Sequence, residues 1–237
     1  MTDFQIKLAD RVIQIKSLHK GVFDLCEGYL CISPENDMEV LSSQEAIDQE
    51  RERAGEEENP SDDYLETLSV YRSIAEQMLD YSTFLVHASV VAKDQEAFAF
   101  LAASGVGKTT RTNLWLEELE DSYVVNGDKP LLRICDHEVW ACGTPWSGKE
   151  RMNRNCQIPL RALCFLERAD EEAIYEMDFS QAFVRMLSQV YRPKNQMALA
   201  KTLRLVKAME GKVKFYQYRS KLEDVDMRKL YQQMKGW

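Results

Sequence analysis

Apolar and polar residues alternate through 3–15 (DFQIKLADRVIQI) and again through 21–32 (GVFDLCEGYLCI), with polar breaks between. A period of two turns one side of an extended segment inward, so residues 1–32 are predicted to form a hairpin or small sheet. The pattern then lapses. Residues 33–63 are dense in Asp and Glu and nearly free of large apolar side chains, the composition of a solvated linker or insertion. Beyond it the spacing changes to three and four. Leu65, Leu68, Tyr71, Ile74 and Met78 fall on one face of a helix, with Ser61 or Asp62 placed to cap it.

From there, strand and helix patterns succeed one another. Residues 83–103 (TFLVHASVVAKDQEAFAFLAA) read as two strands around the polar turn KDQE, 109–120 as a helix, and 121–128 (DSYVVNGD) as a strand and its end. Residues 129–146 hold two further strands and 158–168 (IPLRALCFLER) another. Helices follow at 180–191 and 195–210, a strand at 212–218 and a closing helix at 222–237. Such an order predicts an α/β domain with a mixed sheet. The pattern divides the chain into an N-terminal β element at 1–32, an acidic linker or insertion at 33–63, and one compact unit at 64–237.

Length and composition narrow the classes. At 237 residues with 45% hydrophobic and 29% charged positions, the chain can bury a substantial core. A formal charge of −9 argues against a nucleic-acid binder, which would carry a basic surface. The first residues lack the apolar core of a secretory signal, and no run approaches a membrane span, so a cytoplasmic protein without a membrane partner is expected. The six cysteines form no CxxC pair, and most stand in apolar runs, as buried free thiols do. Nothing in the pattern argues against a homo-oligomer.

Residues 102–109 (AASGVGKT) carry the chemistry. They fit the phosphate-loop pattern G-x-x-x-x-G-K-[ST] except at the first position, where Ala102 stands. A strand precedes them and a helix follows, the context the pattern needs. Ser104, Gly105, Val106, Gly107, Lys108 and Thr109 would turn backbone N–H groups around phosphate oxygens, with the glycines permitting angles that a side chain penalises. The following helix presents its positive end to the same anion. Lys108 would reach the terminal phosphates and the Thr109 hydroxyl would ligate Mg²⁺. Thr110 continues the same run, its side chain expected to pack into the helix. The duller reading is a glycine-rich strand-to-helix turn.

Two more residues stand at suggestive places: His87 in FLVHASVVA, one strand before the loop strand, and Asp128 in YVVNGDKP, twenty residues after Lys108. Asn126-Gly127 is also a strong two-residue turn signal, so an ordinary hairpin is the alternative there. With these residues in view, LVHASVVAKDQEAFAFLAASGVGKTT resembles the catalytic domain of HPr kinase/phosphorylase, with the histidine-to-lysine spacing matched. SGVGKTT is also similar to the loop of ATP-dependent phosphoenolpyruvate carboxykinases, which share that superfamily's fold. The similarity covers about residues 83–130. NGDKPLLR with GTPWSGKE resembles a subgroup of HPr-kinase-like proteins associated with modified-peptide pathways.

The resemblance implies an α/β phosphate-loop domain of the HPr kinase and carboxykinase type, with a short N-terminal β element. It implies ATP and Mg²⁺ as cofactors, Lys108 on phosphate, Thr109 on the metal, and His87 supporting a catalytic acid. The family's tandem aspartates align with Gly127 and Asp128. One acid is therefore missing, and Asp128 acts alone as base or serves the metal. Glu138 and Glu150 are the candidates for the family's metal-side glutamate, and the missing acid counts against phosphorylase activity.

On the acceptor side, CGTPWSGKERMNRN (142–155) combines turn glycines with Trp146, which could wall a pocket. Lys149, Arg151 and Arg154 could meet phosphate or carboxylate oxygens. A solvated loop is the plain alternative, and Arg133 on the preceding strand is a weaker candidate. The reading that unites these features is Mg²⁺-dependent transfer of the γ-phosphoryl group from ATP to a hydroxyl, a serine of a peptide or protein. The rivals are a kinase of a small hydroxyl metabolite and a nucleotide-binding regulator without transfer.

Overall fold

The turn at Ala9 and Asp10 sets the first pair of strands. Both residues have positive φ, 47° and 61°, the combination a two-residue type I′ hairpin requires. It joins β1 (Thr2–Leu8) to β2 (Arg11–Ser17) in register from Thr2↔Ser17 to Leu8↔Arg11. The computed structural model describes residues 1–54, 59–103, 105–221 and 225–236. Phe4, Ile6, Leu8, Ile13 and Ile15 are buried on the shared face that alternation dictates. The next segment departs from the pattern. Gly21–Leu25 is a short helix, α1, and only Leu30–Cys31, β3, pairs with β1 as a strand.

Residues 33–63 need correcting more substantially. β4 (Met38–Leu41) runs parallel to β2, and α2 (Gln44–Ala54) buries Ile47 and Glu50. Three well-placed apolar side chains, Met38, Val40 and Ile47, anchor a stretch whose average composition is that of a linker. Glu50 tolerates burial because Arg53 and Arg72 hold its carboxylate, the latter at 2.7 Å. Residues 55–58 lie outside the described part.

α3 (Asp62–Gln77) begins at Ser61, whose Oγ accepts the Tyr64 N–H at 3.3 Å. The buried Glu66 accepts the N–H groups of Leu18 and His19 at 2.6 and 2.9 Å, tying the helix to the end of β2. The sheet order is β3-β1-β2-β4. These elements form one compact unit, Met1–Tyr81, and the rest a second, Ser82–Trp237. The divisions at 32 and 63 that composition suggests are therefore not structural boundaries.

The second unit is α/β, with nine strands of mixed direction among its described residues. They are β5 (Thr83–Leu85), β6 (Ser89–Lys93), β7 (Glu96–Leu101), β8 (Tyr123–Asn126), β9 (Leu131–Ile134), β10 (Val139–Cys142), β11 (Gln157–Arg168), β12 (Ala173–Glu176) and β13 (Lys214–Ser220). The main path runs β5-β9-β10-β11-β7-β6-β8, and β13 pairs with both β11 and β12. β11 is long enough to serve both ends. It pairs antiparallel with β10 through Gln157–Pro159, then parallel with β7 and β13 farther on. β12, an edge strand, has no counterpart in the sequence pattern.

Among the described residues four helices accompany the strands: α4 (Lys108–Glu118), α5 (Phe179–Met186), α6 (Gln196–Lys207) and α7 (Met227–Lys235). Trp115 of α4, 0% exposed, packs between Phe98, Phe100 and Tyr231 with ring centroids 5.4–5.5 Å apart. These rings join Cys164, Tyr218, Met227 and Leu230 in the core that seats α4 and α7 on β7, β11 and β13. All six cysteines are free; Cys26, Cys142 and Cys164 are buried. Among the described residues no helix is long and apolar enough to cross a membrane.

Candidate active site

β6 and β7 form a hairpin whose turn residues, Asp94 and Gln95, have φ of 52° and 63°. β7 delivers the chain to the loop, and α4 begins immediately after it. Gly105 and Gly107 have φ of 79° and 105°, so both glycines stand where a side chain would be strained. Gly107 is the N-cap of α4 and, lacking a side chain, makes no cap hydrogen bond of its own. The first N–H groups of a helix have no partner within it, and the dipole adds positive potential at that end. Ser104 lies outside the described residues.

Three side chains converge beside the loop, Lys108 from the start of α4, His87 from the β5–β6 connection and Asp128 from the turn after β8. Lys108 Nζ lies 3.0 Å from His87 Nε2 and 3.2 Å from the Ala102 carbonyl oxygen. The same His87 nitrogen stands 3.1 Å from Asp128 Oδ1. One ring nitrogen cannot accept from an ammonium and donate to a carboxylate at once. The His87 nitrogen therefore either accepts from Lys108 or donates to Asp128, according to its tautomer.

Their environment biases the charges. Burial pushes the Lys108 ammonium below the usual lysine range, against the pull of Asp128. For Asp128, burial alone would raise the carboxyl. The His87 hydrogen bond and the charges of Lys129, His87 and Lys108 outweigh it and hold the group below the usual carboxylate range. Asp128 is thus a carboxylate at neutral pH.

Asn126 explains how Asp128 is aimed. Its Oδ1 accepts the N–H groups of Asp128 and Lys129 at 2.9 and 2.7 Å, while its Nδ2 donates to Thr144 O and Oγ1 at 2.9 and 3.0 Å. Asn126-Gly127 is therefore not the hairpin that its sequence suggests. β8 pairs with β6, and the buried asparagine makes the turn with its side chain. Ala88 N–H donates to Asp128 O at 3.0 Å, fixing the acid's backbone against the β5–β6 connection that carries His87.

The 142–155 loop closes over this turn. A β-carbon added at Gly127 would stand 3.0 Å from Ser147 O and 3.4 Å from Met152 O. One added at Gly148, whose φ is +80°, would stand 3.2 Å from Asp128 Cβ. A side chain at Gly127 would thus meet backbone oxygens at close range.

The structure brings His87, Lys108 and Asp128 together, with Gly105, Val106, Gly107 and Thr109 beside them at the loop and the start of α4. Thr109 is exposed at that start. Thr110 is also exposed rather than packed into the helix; the α4 residues turned inward are Arg111 and Thr112. Trp146 is 5% exposed and belongs to the packed interior. Arg154 lies over the Tyr123 ring, 4.0 Å from its centroid, while Lys149 and Arg151 are exposed on the turn around Gly148. Glu138 and Glu150 are exposed and Arg133 is half-buried.

Sequence reasoning passed over Lys129, whose Nζ is 3.9 Å from Asp128 Oδ2. It also passed over Arg111 and Arg168, which bond the carbonyls of Val106 and Gly105 at 3.0 and 2.6 Å. Arg111 was legible, since it stands four residues before Trp115 on the buried stripe of α4. Arg168 had no such signal, being a lone cation at the end of an apolar strand.

No family model matches the sequence, and no curated protein matches it. Among solved structures the chain is similar to the Hpr(Ser) kinase/phosphatase from Coxiella burnetii, at 11% identity over 53% of this chain and 90% of that one, with a TM-score of 0.31. So loose a superposition leaves the site to be argued from its own geometry.

Proposed function

We propose that the chain is a phosphate-loop kinase that transfers the γ-phosphoryl group of ATP, with Mg²⁺, to the hydroxyl of a serine in a peptide or protein. The observation that carries this reading is the convergence of Lys108, His87 and Asp128 at the start of α4. A cation for the transferring group and a carboxylate for the acceptor are what phosphoryl transfer asks of a protein, since its catalysis is mostly positioning and electrostatics. The hydroxyl acceptor is supported by the charge of Asp128, and the serine by the resemblance of residues 83–130 to HPr kinases.

Among the described residues no three His, Cys, Asp or Glu side chains cluster as a metal cage. That composition suits Mg²⁺, which takes one or two protein oxygens and completes its shell with phosphate and water. Thr109 and Asp128 would hold it, and it would supply neutralisation of phosphate charge. In the transfer, the acceptor hydroxyl hydrogen-bonds to Asp128 and gives it its proton. The acceptor oxygen bonds to the γ-phosphorus while the bond from that phosphorus to the bridging oxygen of ADP breaks. His87 steadies Asp128 and Lys108, and Lys108 with the loop amides stabilises charge on the moving group.

The space closed beside Gly127 favours one alternative, a nucleotide-binding regulator whose single acid performs no transfer. Incubation with γ-labelled ATP, Mg²⁺ and size-fractionated lysate separates the readings. Label is expected in a peptide or protein fraction and is expected to vanish in Lys108→Ala and Asp128→Asn. ATP binding without label in any fraction supports the regulator, and label confined to small molecules supports a metabolite kinase.

A further inference from the structure

Arg111 lies in the first turn of α4, yet it is 0% exposed. Its Nη1 donates to Val106 O at 3.0 Å and its Nη2 to Ser220 Oγ at 2.8 Å, with the Tyr218 ring centroid 5.9 Å from the guanidinium carbon. Its Nε is buried without a hydrogen-bond partner. The titratable groups around it are Tyr218, Cys164 and Arg168, and among the described residues no carboxylate pairs with it. A cation withdrawn from water without a counter-charge is costly to keep. Here it is kept directly behind the phosphate loop.

Arg168 adds a second bond of the same kind from the exposed side, Nη2 to Gly105 O at 2.6 Å. In a planar trans peptide the carbonyl and the next N–H point in opposite directions. Each arginine, by holding the carbonyl of Gly105 or Val106, therefore turns the following N–H group, of Val106 or Gly107, to the opposite side of that peptide. The first closes the turn onto Ala103 O at 3.3 Å, and the second is left at the mouth of α4.

We propose that Arg111, assisted by Arg168, is a positioning residue for the terminal phosphates of the donor. It sets the Val106–Gly107 peptide with its amide toward the anion and supplies a buried positive charge that a polyanion neutralises. The proposal rests on the phosphate-binding reading given above. It has a signature that a purely structural arginine lacks: the ligand-free protein buries a cation that no carboxylate among the described residues pairs, and a bound polyanion supplies the counter-charge.

Calorimetric melting and titration with inorganic pyrophosphate, and separately with ATP, in Mg²⁺, test this on the full chain and on Arg111→Met, Arg111→Lys and Arg168→Met. Without ligand, Arg111→Met is expected to melt near the wild-type temperature, since the lost hydrogen bonds to Val106 and Ser220 offset the relief of a buried charge that no carboxylate among the described residues pairs. Its affinity for pyrophosphate is expected to fall by about tenfold or more. Arg111→Lys should recover part of that loss, and Arg168→Met should lose less than Arg111→Met.

An Arg111→Met protein of lower stability and wild-type affinity would overturn the proposal, as would an Arg111→Lys protein that binds no better than Arg111→Met. If Arg111→Met does not fold, wild-type affinity in both remaining variants overturns it, and weakened affinity in either supports it. A wild-type chain that binds neither pyrophosphate nor ATP would defeat the phosphate-binding reading itself, a separate result.

Discussion

At Gly127 the nearest atoms to an added side chain are backbone oxygens of Ser147 and Met152, which cannot swing aside as a flexible side chain can. Gly127→Asp is accordingly expected to destabilise the protein by roughly 1–3 kcal/mol through overpacking. It is also expected to leave transfer no faster, by denaturant unfolding and the labelling assay. A stable and more active variant would mean that the 142–155 loop yields. The same turn shows what single residues reveal beforehand. The meeting of His87, Lys108 and Asp128 was legible because motif spacing constrains it. The role of Asn126 was not, because a hairpin and an asparagine-held turn share the same dipeptide, and only the pairing of β8 with β6 decides between them.

Among the elements, α7 is fastened to the β6–β7 hairpin by a small charged cluster. Asp94 accepts from Tyr231 Oη at 2.7 Å and from Lys235 Nζ at 2.8 Å. The Lys235 and Tyr231 hydrogen bonds hold the Asp94 carboxyl down to about 2, and the same carboxylate raises the Lys235 ammonium. A lowered carboxylate contributes stability above its ordinary pKa and loses it as pH falls through the folded value. A raised ammonium contributes below its ordinary pKa and loses it as pH rises. The attachment of α7 is therefore fullest from about pH 4 to about pH 10, between the ordinary values of the two groups. Amide exchange in Met227–Lys235 should quicken outside that window, and Asp94→Asn should show quick exchange within it. An unchanged α7 in that variant would remove the cluster from its attachment.

Periodicity made the long elements readable, and α3, β7 and β11 stand where it placed them. It missed β4 and α2, whose few apolar residues are diluted by charge, and β12, which pairs only with β13 at the sheet margin. Average composition conceals an element that needs only two or three buried positions.

For the molecule as a whole, every residue of the candidate site lies within Ser82–Trp237, a unit with its own core. A chain of residues 82–237 is expected to bind pyrophosphate with the affinity of the full chain, measured by titration calorimetry; loss of binding would place part of the site in Met1–Tyr81. The α/β class of this unit was readable from the succession of strands and helices. The integration of 33–63 into the first unit was not, because it depends on the parallel pairing of β4 with β2, a long-range contact.

β11 has one more implication, for where the chain can change length. Its residues answer to β10, then β7, then β13, with one register irregularity between Leu160 and Ala162, and it ends on Arg168. Adding or removing one residue beyond that irregularity would exchange inward and outward positions up to the end of the strand. It would also pull Arg168 out of step with Gly105. Length variants that keep the loop intact must place their insertions and deletions in the connections outside this strand.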